Sequence, residues 1–389
     1  MSLTHLLLVA PAFLVAAAGL LAGLVFLFRL SLPRVQRAGS VTLILPLTGH
    51  APGLGGLLRA LEAQTLPARR LLVCVEDARD PACARAAQLA SGARLPIEIV
   101  IAGQATRCAQ KCCNQIAGLA RIDADDEVVV LCDADILPPP WWLSALATPI
   151  LDGSADIVTG YRWPTPGALR MASQLVAAID RGIALLPRLA TFHVTWGGSL
   201  ALSPHAIEKL GVAQLLAGTL SDDCSIGEQA ATAGLRVLTR RALLVPTPAS
   251  DGLAAVWRFG RRQYQIIRVY RLPLWSLACL ALSARVLAWL VLLANLGQWW
   301  ARLAAAFLVC FALAAVAVQA LVGRRLGMAD PIAVTLLQVV LALCRPLLDL
   351  FHWSMVLAAC DARVIRWGHL SYRVSGPRQI AITKRSQWG

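Results

Sequence analysis

The chain has 389 residues, of which 58% are hydrophobic and only 15% charged, and its formal net charge is +14. So apolar a composition excludes an ordinary soluble globular protein and implies contact with a bilayer. The positive charge clusters beside apolar segments instead of along a polar face, which favours a membrane surface over nucleic acid as its partner.

Leu6 to Phe28 carries no charged residue and exceeds the roughly 20 residues that a helix needs to cross the hydrocarbon core. It is longer than a signal-peptide core, and neither a preceding basic residue nor a small-x-small cleavage site accompanies it, so residues 1–30 are expected to be a retained anchor. Arg29, Arg34 and Arg37 follow directly and none precedes. The positive-inside rule therefore places Met1 outside and the following domain in the cytosol of a multi-pass protein of a bacterial-type inner membrane or its equivalent. A reducing cytosol argues that the eleven cysteines are thiols; the one cluster, Cys108, Cys112 and Cys113, lacks the second CxxC or histidine pair of a zinc site.

Val41 to Pro46 is a β-branched apolar run ended by proline, as in a buried parallel strand. Leu54 to Leu66 has helical spacing. Leu71 to Val75 and Pro96 to Ile101 read as strands, Cys108 to Leu119 as a helix, and Glu127 to Cys132 as a fourth strand. This alternation predicts a doubly wound α/β domain over residues 40–254. Ligands of such sheets bind at the carboxyl ends of strands, where Asp77, Asp80, Asp133 and Asp135 stand. An arginine-rich amphipathic stretch, residues 255–272, comes next and is expected to lie in the membrane interface. Residues 273–360 hold apolar segments at Leu274 to Leu296 and Leu303 to Val322. A third, Pro331 to Ala359, contains Arg345, Asp349 and His352. Charge inside a bilayer costs about 2.5 to 3.5 kcal/mol per residue, so this third segment is expected to re-enter or lie in the interface, broken at Pro346. That leaves the basic tail, residues 361–389, in the cytosol; a full crossing would put it outside.

Asp133-Ala-Asp135 leaves an apolar strand and precedes a proline-rich turn, so its two carboxylates can converge on one hard cation, Mg2+ or Mn2+, that takes its remaining ligands from substrate phosphates and water. Asp222 and Asp223 stand at the start of a helix expected over Ser225 to Ala233; either could cap it, and their repulsion could raise the pKa of one into the range of a general base. Trp196-Gly197-Gly198 joins a stacking ring to two residues that allow close backbone approach, or it is a tight packed turn.

Val75-Glu-Asp77-Ala-Arg-Asp80-Pro-Ala82, Cys132-Asp133-Ala-Asp135-Ile and Leu220-Ser-Asp222-Asp223 together resemble the spaced aspartate motifs of family 2-type glycosyltransferases, and especially the ceramide glucosyltransferase branch. The resemblance spans roughly residues 40 to 275. It implies a Rossmann-like (GT-A type) nucleotide-sugar-binding domain with membrane helices at both ends, and inverting transfer of one hexose from a UDP-sugar donor to a lipid acceptor such as ceramide. Asp77 then meets the nucleoside, with Asp80 in the same loop and Lys111 near the donor. Asp133 meets the diphosphate and, with Asp135, the metal. Asp223 is the base, with Asp222 beside it, and Trp196, Gly197 and Gly198 border the acceptor. The closing (Q/R)xxRW motif is altered: Arg258-Phe-Gly-Arg261-Arg262-Gln263 stands there without tryptophan, and the register that makes Arg262 the catalytic arginine, flanked by Arg261 and Gln263, is preferred. A literal match, Arg363-Val-Ile-Arg366-Trp367, lies beyond the apolar segments and is read as coincidence. A processive polysaccharide synthase and a catalytically silent scaffold are the competing readings. The first would need a wider channel, and the second has no use for Asp77, Asp133, Asp135 and Asp223 together.

Overall fold

A computed structural model describes residues 2–33, 36–166, 169–188, 194–248, 252–361 and 363–388; Arg34, in the basic linker, lies outside these. In chain order the elements are α1 (Leu3–Phe28), β1 (Val41–Leu47), α2 (Leu54–Glu62), β2 (Arg70–Val75), α3 (Pro81–Ala90), β3 (Ile97–Ile101), α4 (Gln110–Leu119), β4 (Val128–Cys132), α5 (Trp142–Leu151) and β5 (Ile157–Thr165). Then come α6 (Met171–Ala184), β6 (Ser199–Leu202), α7 (Pro204–Leu210), α8 (Val212–Leu216), α9 (Asp222–Thr232), β7 (Val237–Pro248) and α10 (Leu253–Tyr270). The chain ends with α11 (Leu272–Ala294), α12 (Trp299–Arg325), α13 (Ile332–Leu343), α14 (Arg345–Ala358), β8 (Val364–Trp367), β9 (Leu370–Gly376) and β10 (Gln379–Arg385).

The chain divides into two compact units. A sheet unit comprises residues 31–162, 188–247 and 362–389, and a helical unit comprises 1–30, 163–187 and 248–361. The segmentation gives residues 163–187 to the helices and the basic tail to the sheets, which composition along the chain does not show.

In the sheet unit a seven-stranded sheet runs β3-β2-β1-β4-β6-β5-β7. The strands β3, β2, β1 and β4 are mutually parallel, while β6 is antiparallel to β4 and β5. The apolar runs of β1, β2 and β4 are buried because helices cover both faces, as a parallel sheet requires. Their side chains form one core with α2 and α5 that includes Leu43, Leu45, Val73, Val130, Leu57 and Trp142. Since β1 pairs with β2 on one side and β4 on the other, the chain reverses direction across the sheet there, and the carboxyl ends of these strands form the crevice where such folds bind ligands. At the opposite edge, Asp126 is buried and takes Thr42 Oγ1, Arg69 and Arg70 as partners, with the guanidiniums at 2.8 and 2.7 Å. Burial opposes its charge, but these bonds outweigh it and hold its carboxyl down at about 2. Its stabilising effect is therefore complete above the ordinary carboxylate pKa and lost as pH falls toward 2.

The C-terminal residues, expected as a basic tail, form a three-stranded antiparallel sheet, β10-β9-β8. Arg366 and Trp367, the literal arginine motif, are in its first strand.

Three helices of the helical unit, α1, α11 and α12, are long and apolar enough to cross a membrane, in line with the expected membrane segments. Their surfaces expose Leu7, Leu14, Leu21, Leu280, Leu290 and Phe307, which is costly in water and ordinary in lipid. The helices α13 and α14 form a pair bent by 83°. The break falls at Cys344 and not at Pro346, whose missing N–H costs nothing in the first turn of α14.

Candidate functional site

Half-buried Lys111 organises the site. It sits in the first turn of α4, and its Nζ lies 2.8 Å from Asp133 Oδ1 and 3.1 Å from Asp222 Oδ2. Asn114 on the same helix donates to the carbonyls of Leu47 and Cys74 at the ends of β1 and β2, at 3.1 and 3.0 Å, so α4 is fastened over the crevice. Burial opposes the charge of Lys111, but Asp133, followed by Asp222 and Asp223, outweighs it and holds the ammonium well above its ordinary pKa. The lysine thus remains a cation between the strand-end carboxylate and the α9 acids.

Helix α9 begins three residues earlier than the sequence suggests. Ser221 occupies the N-cap position, and both acids fall inside the first turn, so neither is the cap. Negative side chains in a first turn are favoured by the helix dipole. The two then separate by environment. Asp222 is 1% exposed and accepts from Gln115 Nε2 at 2.7 Å as well as meeting Lys111. Asp223 is half-buried and accepts from the backbone N–H groups of Cys224 at 2.7 Å and Gly197 at 3.2 Å, and from the Ser221 hydroxyl. Burial first and the Asp222 charge second push its carboxyl above the usual carboxylate range, against the pull of Lys111.

The two glycines are steric requirements. A Cβ on Gly197 would lie 2.6 Å from Asp222 Oδ2 and 2.9 Å from Lys111 Nζ, and one on Gly198 would lie 2.3 Å from the Trp196 ring. Trp196 is half-buried, 5.9 Å between centroids from Tyr161, and Arg188 lies over that tyrosine at 4.1 Å. Tyr161 and Arg188 carry no motif; only the packing of Tyr161 on Trp196, and of Arg188 on Tyr161, brings them to notice.

Asp133 is partly exposed, and Asp135 is open to solvent on its outer side. Desolvation by the surrounding protein and then the Asp133 charge raise the Asp135 carboxyl, with Lys111 and Arg162 pulling the other way. Among the described residues no group of three or more histidine, cysteine or acidic side chains could enclose a metal. Two hard oxygen donors with their outer positions open do fit a divalent cation that completes its shell from a diphosphate and water.

Asp77 stands apart from the Lys111 network: Arg79 donates to it from its backbone N–H, Nε and Nη2 at 2.9 to 3.0 Å, and this guanidinium holds the carboxyl well below its usual range. Asp80 is buried. Its Oδ1 caps α3 at Ala82 N and accepts from Gly49 N, both at 2.9 Å, which ties the loop after β2 to the loop after β1.

The residue before Asp77 was not singled out by sequence reasoning. Glu76 is buried, with His369 Nε2 at 2.8 Å from one oxygen and Arg385 against the other, so the C-terminal sheet is anchored beside the Asp77 loop. Gln110 at the start of α4 donates its backbone N–H to Tyr372 Oη at 3.2 Å. No local signal could reveal contacts of such long sequence separation.

Arg261, Arg262 and Gln263 lie on α10 in the helical unit. Arg261 Nε donates to the Ala358 carbonyl at 3.0 Å, Arg262 lies over the Phe259 ring at 5.4 Å, and Gln263 is half-buried.

The model of glycosyl transferase family 21 matches residues 8–380. The chain belongs to this family. Curated proteins compared by sequence include no match. Of solved structures, a mannosyltransferase from Pyrobaculum calidifontis, in complex with GDP-mannose and Mn2+, is 19% identical, with 91% of this chain and 97% of that one covered and a TM-score of 0.48. A glucosyl-3-phosphoglycerate synthase from Mycobacterium tuberculosis, in complex with Mn2+, UDP-glucose and glycerol 3-phosphate, is 16% identical over 59% of this chain and 79% of that one, with a TM-score of 0.37. The family 21 glycosyltransferase is thus a mixed α/β protein with a parallel-dominated sheet and apolar helices on both sides of it in sequence.

Proposed function

We propose that this glycosyltransferase is inverting and moves a single hexose, glucose in the first instance, from a UDP-sugar to the hydroxyl of a membrane lipid such as ceramide. The carrying observation is the Lys111 bridge from Asp133 to Asp222 with half-buried Asp223 beside it. Asp133 and Asp135 would hold Mg2+ or Mn2+, whose charge, when bound, offsets that of the donor diphosphate. Lys111 adds a fixed positive charge on the same side, and Asp77 is assigned to the nucleoside. The acceptor oxygen attacks the anomeric carbon as the bond to the diphosphate breaks, and Asp223 takes the hydroxyl proton. Asp222 serves to aim Lys111 and does not take part in proton transfer. Trp196, with Gly197 and Gly198, is assigned to the acceptor side, where an aromatic face suits a sugar or the neck of a lipid. Arg262, flanked by Arg261 and Gln263, is assigned to the leaving diphosphate, for which a guanidinium is the fitting donor. The apolar helices supply a reason for a lipid acceptor, and the bent pair α13–α14 is assigned as re-entrant.

The test is transfer by purified protein in detergent, supplied with UDP-glucose, ceramide and Mn2+ or Mg2+, with products read by mass spectrometry. One hexose per lipid and a loss of about 100- to 10,000-fold in Asp223→Asn are expected. A ladder of sugars, or near-normal transfer by that variant, would overturn the reading. GDP-mannose in place of UDP-glucose tests the donor base separately.

A further inference from the structure

The helical unit carries a second cluster of ionisable groups. Asp349 on α14 is fully buried, and its Oδ1 is met by Arg285 Nη2 at 2.8 Å and Arg345 Nε at 3.0 Å, while Trp289 Nε1 donates to Oδ2 at 3.1 Å. Arg285 and Trp289 belong to α11, one of the membrane-spanning candidates, and Arg345 opens α14 at the 83° bend. One turn along α14, His352 shares a hydrogen bond with the Tyr264 hydroxyl at 2.5 Å.

Arginine remains charged in proteins, so two guanidiniums against one carboxylate leave this trio with a net charge of two minus one, or +1. A residual cation among apolar helices is expensive unless an anion or water reaches it. Each guanidinium offers five N–H groups, and Asp349 engages only one nitrogen of each. The arginines are not sealed: their side chains are 18% and 21% exposed, whereas the carboxylate between them is closed off. The N-terminal end of the α14 dipole adds positive potential at Arg345.

We propose that Arg285 and Arg345, oriented by Asp349, form a binding site for the phosphate of an anionic lipid. Planar guanidiniums sharing one carboxylate form a fork that matches a phosphate's oxygens. A lipid is favoured over free phosphate because Arg285 lies within α11, a helix long and apolar enough to cross a membrane. The site lies wholly within the helical unit and stands whether or not the sugar acceptor is ceramide.

The experiment uses the full chain in nanodiscs of phosphatidylcholine, with and without a minor fraction of phosphatidic acid, and native mass spectrometry to count retained lipids. Wild type is expected to retain phosphatidic acid selectively, and Arg285→Gln and Arg345→Gln each to lower that retention about tenfold, as loss of a charge-assisted contact implies. Arg345→Lys, which keeps the charge, serves as the folding control and is expected to retain most of it. Excess inorganic phosphate should leave the lipid in place; if it displaces the lipid, the site is for free phosphate and the lipid proposal fails. Retention without preference for phosphatidic acid, or equal retention by wild type and the folded Gln variants, would make the cluster purely structural and overturn the proposal.

Discussion

Asp222 gives its carboxylate to Gln115 and Lys111, whereas its chain neighbour Asp223 keeps an accessible side and is held by backbone N–H groups. A base whose pKa is raised is protonated, and idle, at pH values where a free carboxylate would already act. Log kcat/KM should therefore climb with unit slope through a range above the ordinary carboxylate pKa and flatten above it; a profile flat down to that ordinary pKa would remove Asp223 from the role. The same shift has a stability consequence of opposite sense. Charge at position 223 is disfavoured in the folded state, so its stabilising contribution is present at low pH and lost as pH rises through the raised pKa. Asp223→Asn should accordingly match or exceed the wild-type melting temperature near neutrality while losing transfer. Gly197→Ala should do the reverse of a silent change, because its Cβ would meet buried Asp222 and half-buried Lys111. Overpacking of this kind costs about 1 to 3 kcal/mol, read as a lower denaturation midpoint, together with weaker donor binding.

At the level of elements, the strands were legible because β1, β2 and β4 are buried on both faces and so are continuous apolar runs bounded by proline, glycine or aspartate. Their carboxyl-end residues, Asp77, Asp133 and Asp135, were legible for the same reason. The start of α9 was missed by three residues, since two adjacent acids look like caps when Ser221, the residue in that position, makes no side-chain capping bond. The terminal sheet was missed because β8 to β10 alternate short apolar and basic residues, a pattern that reads as a solvated tail until Ile365, Tyr372 and Val374 are seen to be buried. Its attachment through Glu76 yields a prediction: Arg385→Ala, by leaving a buried carboxylate short of a partner, should destabilise the sheet unit by about 3 kcal/mol in chemical denaturation. An unchanged midpoint would show that the terminal sheet is held by its apolar contacts alone.

For the whole molecule, the charge asymmetry around α1 and the apolar helices α11 and α12 lead to a proposed topology with the N-terminus outside and the sheet unit in the cytosol. In a cysteine-free background, Ser2→Cys should be labelled by an impermeant maleimide in intact cells and Gln379→Cys only after lysis; the reverse pattern would invert the orientation. Segments long and apolar enough to cross a membrane, an α/β domain and the identity of the strand-end carboxylates were determined by the sequence itself, because hydropathy, strand burial and turn chemistry are local properties that a short window of residues expresses. Tertiary structure decided what those carboxylates face. The bridge of Lys111 between Asp133 and Asp222, the tie of buried Asp80 to Gly49, and the meeting of Arg285 with Arg345 around Asp349 all join residues far apart in the chain. A charge's pKa and reach depend on its neighbours in space, and only the folded chain supplies them.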